Sequence, residues 1–189
     1  MLEYAEKYES LLNEQSQLQD ENAALTRYIE AENNRIRAER YQIERAISQN
    51  GVYLLKHDQD RQAEFRNATD LRLDFEQNVA YLTNQHIKLS ASSAFYLKMA
   101  ARFAFFLSSV QVESMMYPRL LLSDNMEDKG MEEERSRNFQ RIVVQRLEEL
   151  GNPNYQVIFA TSNIAPELDN EKYTIGEFYT ESKKSLKLG

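Results

Sequence analysis

Cysteine and tryptophan are absent from this sequence of 189 residues, and glycine and proline are scarce, with five and three residues. The absence of cysteine excludes disulfide bonds and thiolate-bound metal centres, and it suits a reducing compartment. The longest apolar run, residues 99–107, contains Arg102 and is too short to cross a bilayer. Because no secretory signal is visible either, we expect a cytoplasmic protein without a membrane partner.

The spacing of the few glycines excludes two nucleotide-binding loops. None of them belongs to a G-x-x-x-x-G-K-[ST] phosphate loop or to a G-x-G-x-x-G dinucleotide fingerprint. The formal net charge of −7 argues against a chain that clamps nucleic acid with its whole surface, although a local basic patch remains compatible with it. The length and the 42% hydrophobic content predict one compact domain plus an extended element.

Residues 1–50 contain neither glycine nor proline and follow a seven-residue repeat. With Tyr8 at position a, the a column holds Tyr8, Gln15, Asn22, Ile29, Ile36 and Ile43, and the d column holds Leu11, Leu18, Leu25, Glu32, Glu39 and Ala46. Such a repeat predicts a left-handed coiled coil. The alternative is one amphipathic helix packed on its own domain, but the length of the uncapped pattern favours the coiled coil. Its partner would be another chain or a missing part of this one.

Residues 51–89 predict a small antiparallel meander. We expect a break at Gly51, a strand at 52–55, a short helix at 59–67 capped by Asp58, and strands at 71–75 and 79–82. A serine-rich turn at 89–94 then precedes a helix at 95–110. Free N–H groups at such a helix start attract anions, but an ordinary serine cap is the plainer interpretation of the turn.

The segment from Pro118 onward predicts a strand, a helix and a second strand. Three successive leucines indicate a buried strand in the middle of a parallel sheet, ending at Asp124. A helix at 132–150, ended by Gly151, leads to a strand at 155–160 and to polar residues at 161–163. A right-handed crossover would place the two strand ends side by side, where open α/β sheets bind ligands. A plain βαβ unit with a solvated acidic loop remains the alternative, and a last short strand is expected at 173–175.

The order of these segments resembles the C-terminal lobe of an ABC-type ATPase head of the SMC and double-strand-break-repair kind. Residues 89–93 (Leu-Ser-Ala-Ser-Ser) and the alanine-rich helix after them resemble the L-S-G-G-[QE] signature, and residues 120–124 resemble a Walker B strand. Residues 127–130 lie where the D-loop would be, and residues 159–162 lie where the switch-histidine strand ends. The resemblance implies an α/β lobe at 51–189 and, for the helix at 1–50, an antiparallel coiled-coil helix as partner.

The same resemblance implies ATP and Mg²⁺ as cofactors, shared with an N-terminal lobe or second head that supplies the phosphate loop. In such an ATPase head, Asp124 would bind Mg²⁺. The residues that would bind nucleotide are Ser90, Ser92, Ser93 and Asp128, and those with catalytic roles are Asn125, Glu127 and Ser162. Engagement of two heads would then act on DNA in repair, maintenance or phage defence.

The chain departs from the family pattern at three places. Ala91 and Ser92 replace the signature glycines, which narrows the backbone freedom near a phosphate. Asn125 replaces the glutamate that polarises water, and an amide orients water without acting as a general base. Ser162 replaces the switch histidine and lacks a titratable ring. These departures leave two interpretations open. One is a divergent branch that uses different residues, with Glu127 or Asp128 in place of the missing glutamate, and the other is a slow ATPase that works mainly as a nucleotide-gated clamp.

Two other functions remain open at this point. One is a non-enzymatic coiled-coil interaction or scaffold protein, which explains residues 1–50 equally well. The other is a metal-dependent hydrolase built on Asp124, Glu127 and Asp128. With only His57 and His86 in the chain, a histidine-rich metal centre is disfavoured.

Overall fold

The computed structural model describes residues 2–59, 61–83, 88–124, 126 and 130–175. It is a mixed helix-and-sheet structure with a long N-terminal helix, as the sequence predicts. The elements in chain order are α1 (Leu2–Lys56), α2 (Ala63–Arg66), β1 (Arg72–Asp74), β2 (Val79–Tyr81), α3 (Ala91–Gln111), β3 (Leu120–Asp124), α4 (Glu133–Leu150), β4 (Gln156–Ala160) and a 3₁₀ turn at Pro166–Leu168. The chain divides into two compact units, residues 1–44 and residues 45–189.

The described residues of the N-terminal unit all belong to α1, and the helicity of this unit has local causes. Glutamate, glutamine, leucine, alanine and arginine dominate its composition, and all of these favour a helix. Ion pairs within the helix add support, with Arg35 bonded to Glu32 and Glu39 at 2.7 and 3.1 Å. The apolar residues of the heptad columns are exposed from Tyr8 to Ile36, so this unit does not bury the stripe within itself.

The predicted break at Gly51 and the predicted strand at 52–55 are wrong, because α1 continues to Lys56. Leu54 and Leu55 on this last part of the helix are fully buried in the C-terminal unit. A Cβ atom added to Gly51 would lie 2.5 Å from Cδ2 of Leu71. The glycine therefore serves a close approach between the helix and the chain before β1, and the burial of the two leucines outweighs its low helix propensity.

The predicted short helix at 59–67 is present as α2, but Asp58 does not cap it. The residue before α2 is Gln62, which makes no side-chain capping bond. Asp58 is instead buried and paired with Arg135 of α4. Of the predicted meander, the pair of strands after α2 is confirmed: β1 and β2 pair antiparallel, with Leu73 opposite Ala80.

The core of the C-terminal unit surrounds α3. The ring of Phe103 on this helix lies 4.9 Å from that of Phe139 on α4 and 5.6 Å from that of Phe159 on β4. Tyr96, one turn from the start of α3, contacts Phe139 edge to face with ring centroids 5.4 Å apart. α3 thus holds α4 and the inner face of β4 together by aromatic packing.

The predicted strand–helix–strand order is confirmed, with β3 and β4 parallel and α4 between them in sequence. α4 ends at Gly151, whose φ of 65° is the left-handed cap that glycine favours. The expectation that β3 lies buried in the middle of a sheet is wrong for the described residues, where its sheet has two strands. Leu120 and Leu122 of β3 and Ile158 of β4 are 54%, 68% and 43% exposed.

The last described segment also differs from expectation. Residues 171–173 form a turn, and 174–175 have no regular structure, so the predicted strand at 173–175 is wrong. The sequence also has a small basic cluster of Lys183, Lys184 and Lys187, predicted as a solvated terminus rather than a DNA contact, and these residues lie outside the described ones.

Candidate functional site

The carboxyl ends of β3 and β4 lie side by side, as the crossover argument predicts. Asp124, the last residue of β3, is in register with Ala160, the last residue of β4. The Asp124 side chain is exposed, and Ser162, also exposed, follows two residues after β4. The parallel pairing therefore brings one carboxylate and one hydroxyl-rich turn to the same edge, which is where α/β sheets bind ligands.

The turn after β4 is held in place by Gln140 of α4. The Nε2 of this buried amide donates to the carbonyl of Asn163 at 3.0 Å, and its Oε1 accepts from the N–H of Ala165 at 3.1 Å. Within the turn, the N–H of Asn163 donates to Oγ1 of Thr161 at 3.1 Å. The side-chain amide of Asn163 donates to Oγ of Ser162 at 3.3 Å. This backbone is thus anchored at the edge that carries Asp124.

The serine-rich turn forms the start of α3. Ser90 is the N-cap, and its Oγ accepts from the N–H of Ser93 at 3.3 Å. Its hydroxyl also bonds to Oγ of Ser93 at 3.1 Å, and Ser93 is buried. Ser90 itself is exposed, and its Oγ also lies 3.4 Å from Oγ of Ser92. The plainer interpretation of this turn as a serine cap is therefore confirmed for Ser90, and Ser93 is the least accessible of the three proposed ligand serines.

Ser92 lies half-buried against α4. Its Oγ accepts a long hydrogen bond, 3.4 Å, from NH1 of Arg135. The guanidinium of Arg135 is positioned 4.5 Å above the ring of Tyr96, and the Tyr96 hydroxyl donates to the Leu54 carbonyl at 2.9 Å. The arginine thereby joins the serine turn to the first turn of α4.

Asp58 holds Arg135 from the other side. Nε of the arginine donates to Oδ1 of Asp58 at 2.7 Å, its NH2 bonds the second carboxylate oxygen, and both side chains are 1% exposed. Burial raises the pKa of the Asp58 carboxyl, while the hydrogen bonds and charge of Arg135 oppose that rise. Burial likewise raises the pKa of Tyr96 well above its usual value. This cluster is a buried support beneath the serine turn.

Sequence reasoning missed Arg135, although one signal pointed to it. A cation in the first turn of a helix is unfavourable beside the positive end of the helix dipole. Arg135 lies in the first turn of α4, and this position indicated that an acidic side chain from another part of the fold would pair with it. That partner is Asp58, which we had expected to cap α2.

Three of the predicted site residues, Asn125, Glu127 and Asp128, lie outside the described residues. Within the described ranges, no group of three or more His, Asp or Glu side chains is placed to hold a metal ion. Asp124 contributes one carboxylate, and the described neighbours do not complete a metal site around it. The described part of the chain also includes no helix that is long and apolar enough to cross a membrane.

Comparison of the chain with protein-family models, with curated protein sequences and with solved structures gave no match.

Proposed function

We propose that residues 51–189 are the C-terminal lobe of an SMC-like, ABC-type ATPase head whose phosphate loop comes from another lobe. The observation that carries this proposal is the open parallel sheet formed by β3 and β4. Its inner face packs on α3, and its outer face exposes Leu120, Leu122 and Ile158 at its centre.

Parallel sheets are normally covered on both faces, because their strands are apolar on both sides. A two-stranded sheet alone is also marginal in water. Leu122 and Ile158 are in register, so their exposed side chains form one continuous apolar surface beside Leu120. We infer that further strands and helices complete this sheet, as the proposed N-terminal lobe would.

The edge of β4 away from β3 pairs with no strand among the described residues and offers a second place where the sheet could be extended. A groove of about 590 Å³ runs along this strand between α4 and the segment 164–175. Its apolar lining includes Val144, Leu147 and Val157. An edge strand beside an apolar groove accepts a further strand by backbone pairing.

In the assembled head, ATP and Mg²⁺ would lie at the carboxyl ends of the strands. Asp124 would bind the metal ion, with Asn125, Glu127 and Asp128 in the turn after it. Ser90 is exposed and is the best placed of the three serines to donate its hydroxyl proton to the γ-phosphate of an opposing head, in place of its hydrogen bond to Oγ of Ser93; Ser92 is half-buried and Ser93 is buried. With Asn125 and Ser162 in place of a general base and a histidine, hydrolysis would be slow.

The test is co-expression of this chain with a lobe that carries a G-x-x-x-x-G-K-[ST] loop, followed by an ATPase assay with and without DNA. The isolated chain should bind Mg-ATP weakly or not at all, as measured by calorimetric titration. In the assembled head, Asp124→Ala should abolish Mg²⁺-dependent turnover. Asp169→Ala, an exposed aspartate after the 3₁₀ turn, is the matched control and should leave turnover intact. Tight Mg-ATP binding by the isolated chain, or full turnover by Asp124→Ala, would overturn the proposal.

A non-enzymatic interaction protein is the second candidate, and the exposed apolar stripe of α1 favours it. On that hypothesis the chain would bind its partner through α1 with equal affinity in the presence and absence of nucleotide. It also predicts no ATPase activity in any assembly.

A further inference from the structure

Ten residues of α1 form a continuous surface that we call the seam: Leu11, Gln15, Leu18, Asn22, Leu25, Ile29, Glu32, Ile36, Glu39 and Ile43. Its apolar members from Leu11 to Ile36 are 55–61% exposed. A groove of about 400 Å³ lies on this surface, lined by Leu11, Glu14, Gln15, Leu18, Gln19 and Asn22. All six occupy positions a, d, e or g of the heptad, which are the positions that receive a partner helix in a coiled coil.

Parallel pairing of the seam with itself would be unfavourable. In a parallel two-stranded coil, each d residue faces the same d residue of the other helix. Glu32 would face Glu32, and Glu39 would face Glu39, inside the contact. Arg35 at g would also face Arg40 at e of the other helix, which adds a third like-charge pair.

Antiparallel pairing of two copies matches every layer of the seam. When Leu25 of one copy lies opposite Ile29 of the other, Leu18 faces Ile36 and Leu11 faces Ile43. The polar residues then meet each other as well: Asn22 faces Glu32, and Gln15 faces Glu39. In both polar layers an amide that can donate lies opposite a carboxylate that accepts.

Neighbouring antiparallel registers lose this match. A shift of seven residues in one direction places Leu25 opposite Asn22 and Glu39 opposite Tyr8. The opposite shift places Glu32 opposite Ile29. Because a charged or amide side chain against an apolar one is left without a hydrogen-bond partner, only the Leu25–Ile29 register separates polar from apolar layers.

The charges beside the seam favour the same register. In antiparallel coils, g residues lie beside g residues of the other helix, so Arg35 would lie between Glu14 and Glu21 of the second copy. The Arg35 side chain is 62% exposed where it bonds to Glu32 and Glu39 of its own helix. It can therefore reach across to a second helix, while Glu32 and Glu39 accept from the amides of Asn22 and Gln15 that lie opposite them.

We propose that a second copy of this chain occupies the seam in antiparallel orientation, with Leu25 against Ile29. The pairing depends on α1 alone and is independent of the nucleotide role proposed above. A monomeric chain would overturn the pairing and leave the ATPase proposal intact, whereas a failed ATPase assay would leave the pairing intact.

Disulfide trapping tests the orientation, because the natural chain has no cysteine. A ¹⁵N-labelled full-length Leu18→Cys variant and an unlabelled Ile36→Cys variant are mixed and oxidised, so that the mixed and same-variant dimers differ in mass and can be distinguished. Antiparallel pairing in the proposed register predicts that the mixed Leu18→Cys/Ile36→Cys dimer dominates. Same-variant dimers would dominate in a parallel coil, and that result would overturn the proposal.

Sedimentation velocity of the unmodified chain at micromolar concentration provides the second measurement and should show a dimer. Leu25→Glu should raise the dimer Kd about tenfold or more, because it places a charge in two apolar layers. Ala24→Glu adds the same charge at a c position away from the seam and should leave Kd unchanged. A monomeric wild-type chain, or equal effects of the two glutamates, would overturn the proposed pairing.

Discussion

Arg135 and Asp58 form the most buried ion pair among the described residues, at 1% exposure each. Removal of such charges from water costs several kcal/mol per ion, and only close partners with good hydrogen bonds offset it. Here the arginine has two bonds to the carboxylate, a contact with Ser92 and the face of Tyr96. Every charged group in the cluster is thus compensated while both partners are present.

Arg135→Ala should therefore lower the free energy of unfolding by about 3–5 kcal/mol, because it leaves the Asp58 carboxylate buried without its partner. Urea denaturation monitored by circular dichroism measures this. Arg61→Ala is the matched control: Arg61 and its partner Glu132 are 34% and 63% exposed, so the expected loss is about 1 kcal/mol or less. Equal losses in the two variants would show that the buried pair stabilises the fold no more than the exposed pair does.

Asp70 makes stability depend on pH in a defined direction. Burial raises the pKa of this carboxyl, but hydrogen bonds from three side chains outweigh the burial, so that its pKa lies below the usual value. The three donors are Ser48, Arg72 and Thr83. Because the folded-state pKa is lowered, the contribution of ionised Asp70 to the free energy of unfolding is complete above about pH 4, which is the pKa of an aspartate in the unfolded chain. This contribution is lost as the pH falls through the folded-state pKa.

The free energy of unfolding of the wild type should accordingly exceed that of Asp70→Asn at neutral pH, and the difference should shrink toward zero in acid. Urea titrations of both proteins across the acidic range measure it. Ser48→Ala removes one of the donors and should reduce the pH dependence. A difference that grows as the pH falls would have the wrong sign for this account.

Ser90 stabilises α3 as its N-cap, and this role can be separated from a role with nucleotide. Ser90→Ala should cost about 1 kcal/mol of stability, because the N–H of Ser93 loses its acceptor. Ser90→Asp retains a capping oxygen and adds a charge that the helix dipole favours, so stability should be kept. In an assembled ATPase head, the aspartate should repel the γ-phosphate of the opposing head and abolish ATPase turnover. A fully active Ser90→Asp head would remove Ser90 from the nucleotide site.

Two glycines show when the local sequence predicts the end of a helix and when it does not. The end of α4 at Gly151 follows from the residue itself, because glycine adopts the left-handed conformation of the cap at low cost. Gly51 is also a glycine at the end of a long helical pattern, yet α1 continues through it to Lys56. The difference lies in Leu54, Leu55 and Leu71, whose packing is a property of the folded unit and is not visible in a local window.

The open outer face of the β3–β4 pair should behave as an interface of the whole molecule. Leu122→Glu should leave the stability of the isolated chain within about 0.5 kcal/mol, because the side chain is 68% exposed. The same change should weaken binding of a complementary lobe about tenfold or more. Binding can be measured by calorimetry with the co-purified lobe. Met116→Glu, at a fully exposed methionine outside the sheet, is the control and should bind as the wild type does.

The amino-acid sequence by itself determined the features that depend on near neighbours. It predicted the heptad helix, the antiparallel pair, the strand–helix–strand order, the Ser90 cap and the placement of Asp124 at a strand end. These follow from periodicity, capping and the crossover rule, which act over a few residues or one connection. The nucleotide roles of the same residues stay predictions.

The tertiary structure alone decided which polar groups are buried and which apolar ones are left open. Asp58 and Arg135 lie 77 positions apart, and nothing in either local pattern shows that one neutralises the other. The leucines of β3 predict burial, yet their cover depends on what lies on the second face of the sheet. Burial depends on contacts between residues that are distant in sequence. The sequence could therefore identify Asp124 and Ser90 as site candidates. Only the fold shows the buried cluster beneath the serine turn and the exposed outer face of the β3–β4 sheet.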